Sequence, residues 1–337
     1  MFIVIHSNYP ILNINGNMLN GVGDVSVKDF LNQMSALKIA GEKSGITFKT
    51  SQEDSITEPD GYLFVDMPES DDEYLSRAID SGKSLFLLVW ESGIVNPKNL
   101  DINYHKKFSK VFTYDNTMVD NEKYIKIAYS FDFPLSIPKE YSGKKLCCLI
   151  AGNIFSNHPL ELYSYRTEVI KWFETNHSND FDLYGKGWTK IIPPKNLIDR
   201  VINKFSFLHS KLKPRHPSYV GTVDNKYETY QKYRFAICYE NAKDFPGYIS
   251  EKIFHCFFSG LIPIYLGAPN ISQYIPKNCF IDRNDFSSID DLYHFISHIS
   301  QEDYYVYLDA IENFLIQEQK GIFSIDYFTK TIISHIL

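Results

Sequence analysis

Glu240, Asn241, Tyr248, Glu251 and Lys252 lie close together in a chain of 337 residues, and their types suit the grip of an anionic ligand. The run from Tyr233 to Asn241 reads as an apolar strand ending in Glu-Asn. A polar loop follows to Ser250, then a helix opening on Glu251-Lys252, then the strand Leu261-Ile262-Pro263-Ile264-Tyr265-Leu266. A strand-loop-helix of this kind delivers its polar residues to the carboxyl end of the strand, where α/β folds bind their ligands. The amino end of the helix adds unpaired N–H groups and a partial positive charge, and Lys252 adds a full one, so a phosphate-bearing ligand is the guest expected there. Taken alone, such charged residues equally suit the solvation of an ordinary loop.

The order of these residues resembles the carboxy-terminal donor domain of the α-1,3/4-fucosyltransferase family, glycosyltransferase family 10. That family carries Tyr-[Lys/Arg]-Phe, Phe-Glu-Asn, Tyr-[Val/Ile]-[Thr/Ser]-Glu-Lys and [Ile/Val]-Pro-[Ile/Val]-Tyr-x-Gly. This sequence supplies Tyr233-Arg234-Phe235, Tyr239-Glu240-Asn241, Tyr248-Ile249-Ser250-Glu251-Lys252 and Ile262-Pro263-Ile264-Tyr265-Leu266-Gly267. The interval from Asn241 to Glu251 is one residue longer than in the family, with a bulge at Asp244-Phe245-Pro246. The resemblance implies a GT-B architecture, an α/β fold of two Rossmann-like domains with parallel sheets facing a central cleft. It also implies transfer of L-fucose from GDP-fucose to a glycan hydroxyl with inversion, with no metal or other cofactor required. Another GDP-linked deoxyhexose as donor, or a nucleotide-sugar-binding protein that has lost catalysis, stays open on the sequence.

Inverting transfer needs a base for the acceptor hydroxyl and positive groups for the departing diphosphate. Glu91 ends the apolar run Phe86-Leu87-Leu88-Val89-Trp90, where a parallel strand opens at its carboxyl end. Trp90-Glu91-Ser92 resembles the family's acceptor-domain segment, which implies that Glu91 is the catalytic base. Arg166 lies in a helical run over 160–173, after Leu149-Ile150-Ala151-Gly152-Asn153. The family's similar arrangement implies that Arg166, with Lys252, holds the diphosphate, and the planar fork of Arg suits two phosphate oxygens. Glu251 is expected to accept ribose or sugar hydroxyls, while Asn153, Glu240, Asn241 and Tyr248 shape the donor pocket. Gly185 and Gly187, in Tyr184-Gly185-Lys186-Gly187-Trp188, permit a close backbone approach to the nucleotide, or simply a turn. Asp180-Phe181-Asp182 matches an Asp-x-Asp metal motif by letter, but at the entrance of a strand both carboxylates read as solvated end groups, and no metal site is expected.

The elements that must position these residues alternate along the chain. Apolar runs near 2–5, 62–65, 84–89, 110–114, 145–150 and 181–184 alternate with helical stretches near 27–43, 72–81 and 160–176. That rhythm predicts parallel sheets covered by helices. Proline, serine and glycine concentrate at 134–145, the expected boundary between an acceptor-binding domain over 1–140 and a donor-binding domain over 145–320. A tail over 321–337 is expected to pack back on the first domain.

At 39.1 kDa the chain is long enough for two cores, and its 44% hydrophobic content excludes general disorder. A net charge of −7 argues against nucleic acid as a partner. The five cysteines lack metal or redox spacing and read as reduced core residues. The start, Met1-Phe2-Ile3-Val4-Ile5-His6, is too short and uncharged for a signal peptide, so a cytoplasmic location is expected. Residues 194–213 form a basic amphipathic stretch, with Leu197, Ile198, Val201, Ile202, Phe205, Leu208 and Leu212 on one helical face and Arg200, Lys204 and Lys211 at its border. That stretch is expected either to dock peripherally on the cytoplasmic face of an anionic membrane or to pack on the donor domain.

Overall fold

In the computed structural model, residues 1–23, 27–53, 58–190 and 215–337 are described. They form two compact units. The first comprises Met1–Phe133, Phe245–Tyr248 and Gln317–Leu337; the second comprises Pro134–Asp244 and Ile249–Ile316. The 194–213 stretch lies outside the described residues.

The first unit is built on a six-stranded sheet of β1 (Phe2–Ser7), β2 (Thr47–Thr50), β3 (Gly61–Val65), β4 (Ser84–Leu88), β5 (Lys110–Thr113) and β6 (Tyr124–Lys126). The spatial order is β2-β1-β3-β4-β5-β6, with every neighbouring pair parallel. A parallel sheet needs crossovers over its faces, which is why β3 is buried at every residue and β4 at all but its first. The helix Lys28–Lys43 repeats its buried residues at helical spacing, Phe30, Leu31, Met34 and Leu37. It packs with the helix Ile325–Ile336, whose Phe328, Ile332, Ile333 and Ile336 share one core with Ile3, Ile5, Leu63, Val65, Leu88 and Phe112. Ser324 starts that last helix by accepting from the Tyr327 N–H at 3.1 Å. Each such apolar side chain contributes about 1.5–3 kcal/mol by leaving water.

The second unit has a six-stranded sheet of β7 (Lys145–Ile150), β8 (Phe181–Tyr184), β9 (Tyr219–Gly221), β10 (Tyr233–Tyr239), β11 (Ile262–Leu266) and β12 (Ile281–Asp282). Its order is β12-β11-β10-β7-β8-β9, again all parallel. Chain order therefore reverses between β7 and β10, the point where such sheets open a ligand crevice at their carboxyl ends. The two parallel α/β units agree with the architecture expected from the alternating pattern. The helix expected from residue 160 begins instead at Tyr163. Glu161 pairs antiparallel with Ala242, and the backbones of Leu160 and Leu162 bond Lys243 and Asn241, so the loop after β10 claims these residues before the helix can. All five cysteines are free and buried.

Candidate functional site

In the second unit the residues expected to hold the donor gather at the ends of β10 and β7. Glu240, directly after β10, is fully buried. One of its carboxylate oxygens accepts from the Ser250 N–H at 2.8 Å; the other accepts from the Ser250 hydroxyl at 2.6 Å and the Lys252 ammonium at 3.1 Å. Glu240 thus orients Lys252 from a fully buried position. Gly267 makes room for it, since a Cβ there would stand 2.5 Å from Glu240 Cγ.

Ser250 also caps the helix Glu251–Phe258, its hydroxyl accepting from the Lys252 N–H. The helix forms there because Ile253, Phe254, Cys256 and Phe257 bury one side while the first turn carries Glu251 and Lys252. Burial would favour neutral Lys252, yet the carboxylates of Glu240 and Glu251 outweigh it and raise the ammonium above its ordinary pKa. Burial likewise works against Glu251 ionising, but Lys252, then His255 and Lys226, hold its carboxyl down to about 2. The result is a permanently charged cation at a helix amino end, still 23% exposed.

Arg166 is nearly buried in the helix Tyr163–Asn176. Its Nη2 donates to the Tyr239 and Glu240 carbonyls at 2.6 and 2.8 Å and to Asn241 Oδ1 at 3.1 Å. Arg166 therefore ties its helix to the end of β10, close enough to Lys252 for their charges to oppose each other. The loops that carry Asn153 and Gly185 also meet. Asn153 donates to the Gly187 carbonyl at 3.1 Å, and the Trp188 indole to the Ala151 carbonyl at 2.7 Å. Gly185 has φ +128°, and a Cβ there would lie 1.9 Å from the Ala151 oxygen, so glycine is required by the loop after β7 itself.

Tyr248 is not among these residues. It belongs to the first unit, its ring 5.0 Å from that of Tyr114 and 6.4 Å from that of Tyr129. Asp244 turns left-handed at φ 62°, and the backbone of Pro246 then accepts from the Asn116 N–H at 3.0 Å. Gly247, at φ +86°, passes so close to Tyr114 that a Cβ would sit 2.3 Å from its carbonyl oxygen.

In the first unit Glu91 follows the end of β4, partly buried. Its backbone is held on both sides: the N–H donates to Asp66 Oδ1 at 2.9 Å, and the carbonyl accepts from Asn99 Nδ2 at 3.0 Å. Trp90 before it donates its N–H to Asp66 Oδ1 at 2.7 Å and accepts the Tyr129 hydroxyl on its carbonyl at 2.7 Å. Burial pushes the Asp66 carboxyl up to about 6, against the pull of the Glu91 and Trp90 N–H groups and the Asn99 amide.

The family model described as glycosyltransferase family 10 (fucosyltransferase), C-terminal part, matches residues 144–324, more than half of the chain. The chain belongs to this family. The family 10 chain is 35% identical over 77 residues to the α-(1,3)-fucosyltransferase FucT of Helicobacter pylori, covering 23% of this chain and 16% of that protein. It is 23% identical over 217 residues to the mouse 4-galactosyl-N-acetylglucosaminide 3-α-L-fucosyltransferase 9, covering 63% and 46%. The chain thus spans less than half the length of these curated relatives. A crystal structure of an α1,3-fucosyltransferase with GDP-fucose superposes with a TM-score of 0.53 at 14% identity, over 99% of this chain and 90% of that one. Likeness at that identity shows the fold, GT-B.

Three residues around these sites escaped the sequence reading. Ser250 left a signal, a serine directly before an apolar-periodic helix, which is the signature of a cap. Asp66 and Asn99 left none that separates them from other polar residues after a strand. Asp180 and Asp182, the metal-motif letters, are engaged within the second unit: Asp180 accepts from the Tyr293 hydroxyl, and Asp182 from Tyr233 and the Lys145 ammonium. Among the described residues no three His, Cys, Asp or Glu side chains converge as a metal set, and no helix is long and apolar enough to cross a membrane.

Proposed function

We propose that this family 10 chain transfers L-fucose from GDP-fucose to a hydroxyl of a glycan acceptor with inversion at the sugar carbon. The observation that carries the reading is Lys252, held by buried Glu240 at the amino end of the Glu251–Phe258 helix beside the switch point of the second sheet. The curated relatives named for fucosyl transfer and the structural neighbour solved with GDP-fucose support the choice of donor.

In this reading the acceptor oxygen forms its bond to the sugar as the bond to the diphosphate breaks, and Glu91 takes the hydroxyl proton. The electron pair leaves on the diphosphate. Its growing charge is met by the Lys252 ammonium, the guanidinium of Arg166 and the helix N–H groups. Glu251 accepts hydroxyls of the ribose or sugar, and Asn241, Asn153 and Gly185 shape the pocket around the nucleotide. No cofactor is invoked. Residues 194–213 enter on their sequence alone, as a peripheral contact bringing the enzyme to a lipid-linked acceptor.

Glu91→Gln tests the assignment. A positioned general base contributes about 10²- to 10⁴-fold, so the variant should lose that much kcat while binding GDP as the wild type does by calorimetry. Transfer within threefold (about) of wild type would remove Glu91 from the chemistry. In saturation-transfer NMR, GDP-fucose should displace GDP-mannose, and the reverse order would change the donor.

A further inference from the structure

Asp66 carries two costs that its neighbours do not. It is a non-glycine residue in the left-handed region, φ 61°, and it is a carboxylate only 3% exposed. Strain of the first kind costs about 1–3 kcal/mol and persists where surrounding structure enforces it. Its hydrogen bonds are also lopsided. Trp90 N, Glu91 N and Asn99 Nδ2 all donate to Oδ1, at 2.7, 2.9 and 2.7 Å, whereas Oδ2 takes no hydrogen bond among the described residues. Oδ2 is not among the fully buried unpaired side-chain atoms, so this second oxygen is the part of the carboxylate left open to solvent or a ligand.

The position of the residue says what would match it. Asp66 directly follows β3, and Tyr9 lies shortly after β1; chain order in the first sheet reverses between these two strands. This is the crevice position of an open parallel sheet. Tyr9, 46% exposed, is pushed up to about 12 by burial and then by the charges of Glu91 and Asp66, so both carboxylates border one patch that reaches solvent. Asn99 locks the arrangement, accepting from Met67 N at 2.8 Å on its oxygen while its amide serves Asp66 and the Glu91 carbonyl.

We propose that Asp66 is an acceptor-binding carboxylate: Oδ1 fixes the backbone of Glu91, and Oδ2 receives a hydroxyl of the acceptor sugar. The inference rests on the fucosyl-transfer reading above. A hydroxyl is the matching donor because hydrogen bonds to a charged oxygen are short and strong.

Asp66→Asn separates the two roles. Asn tolerates the left-handed backbone and still offers an oxygen to the three donors, but it places an NH₂ where Oδ2 stood. With a glycan panel that includes a 4-galactosyl-N-acetylglucosaminide, the acceptor KM should rise about 10- to 100-fold, with the KM for GDP-fucose within about twofold and melting unchanged. A role confined to holding the Glu91 loop would leave the acceptor KM at the wild-type value, and that result overturns the proposal. Should Asp66→Asn not fold, singly deoxygenated acceptors on the wild type carry the comparison: loss of one acceptor hydroxyl must raise KM about 10-fold or more, and deoxy acceptors that all match the parent glycan overturn the proposal. Wild type that moves fucose onto no glycan of the panel brings down the functional reading. Wild type that transfers, beside an Asp66→Asn variant of equal acceptor KM, brings down Asp66 alone.

Discussion

Lys252→Met removes the cation facing Glu240 and keeps the apolar stem. Glu240 would then be a fully buried carboxylate left with only the two Ser250 donors at 2.8 and 2.6 Å. Removing one partner of a buried ion pair costs about 3–5 kcal/mol. The Ser250 hydrogen bonds survive and Lys252 is 23% exposed, so water can reach the gap, which puts the expected loss at the lower end, about 3 kcal/mol. For a unit of this size each kcal/mol lowers the melting temperature by about 2–4 °C, giving a fall of about 6–12 °C in the second unit's transition by calorimetry. The double variant Glu240→Gln/Lys252→Met removes both charges of this pair. Its loss should therefore fall short of the sum of the two single losses by about 2 kcal/mol. Two outcomes would refute the reasoning: melting of Lys252→Met within about 2 °C of wild type, or single losses that add to within about 0.5 kcal/mol.

Glu251 has its carboxyl held at about 2, below the ordinary 4.5, so its stabilising contribution is complete above pH 4.5 and is lost as pH falls toward 2. Glu251→Gln should flatten the fall in denaturation midpoint between about pH 5 and pH 2.5; a slope equal to wild type would count against the Lys252 contact. Gly185→Ala forces a Cβ to 1.9 Å from the Ala151 carbonyl at φ +128°, and should cost about 2–4 kcal/mol and cut soluble yield. Wild-type melting of that variant would show that the two strand-end loops do not need this approach.

The sheets were legible because their strands are apolar on both faces, as in Gly61–Val65 and Ile262–Leu266. The edge strands were not. Thr47–Thr50 has a single apolar residue, Phe48, while Tyr219–Gly221 and Ile281–Asp282 are too short to show a period, and edge strands need only one partner. Motif order carried Glu240, Asn241, Glu251 and Lys252 to one place because a strand-loop-helix unit is local. Nothing in a loop's composition says that Tyr248, three residues from Glu251, will be grouped with the first unit after a left-handed Asp244. The burial of Glu240 was not legible because it depends on Ser250 and Lys252 folding back over a strand-end carboxylate. Asp66 stayed hidden for a related reason: its three donors come from residues at 90–99, far along the chain.

The first unit's core includes Phe328, Ile332, Ile333 and Ile336, contributed after the whole second unit has been written in the chain. During synthesis the amino-terminal strands leave the ribosome early and must wait for that closing helix. The second unit depends on no segment before Pro134 and is free to fold while the earlier one is still incomplete. The waiting strands leave parallel edges and the apolar side of the Lys28–Lys43 helix uncovered throughout that interval, the kind of surface on which nascent chains aggregate.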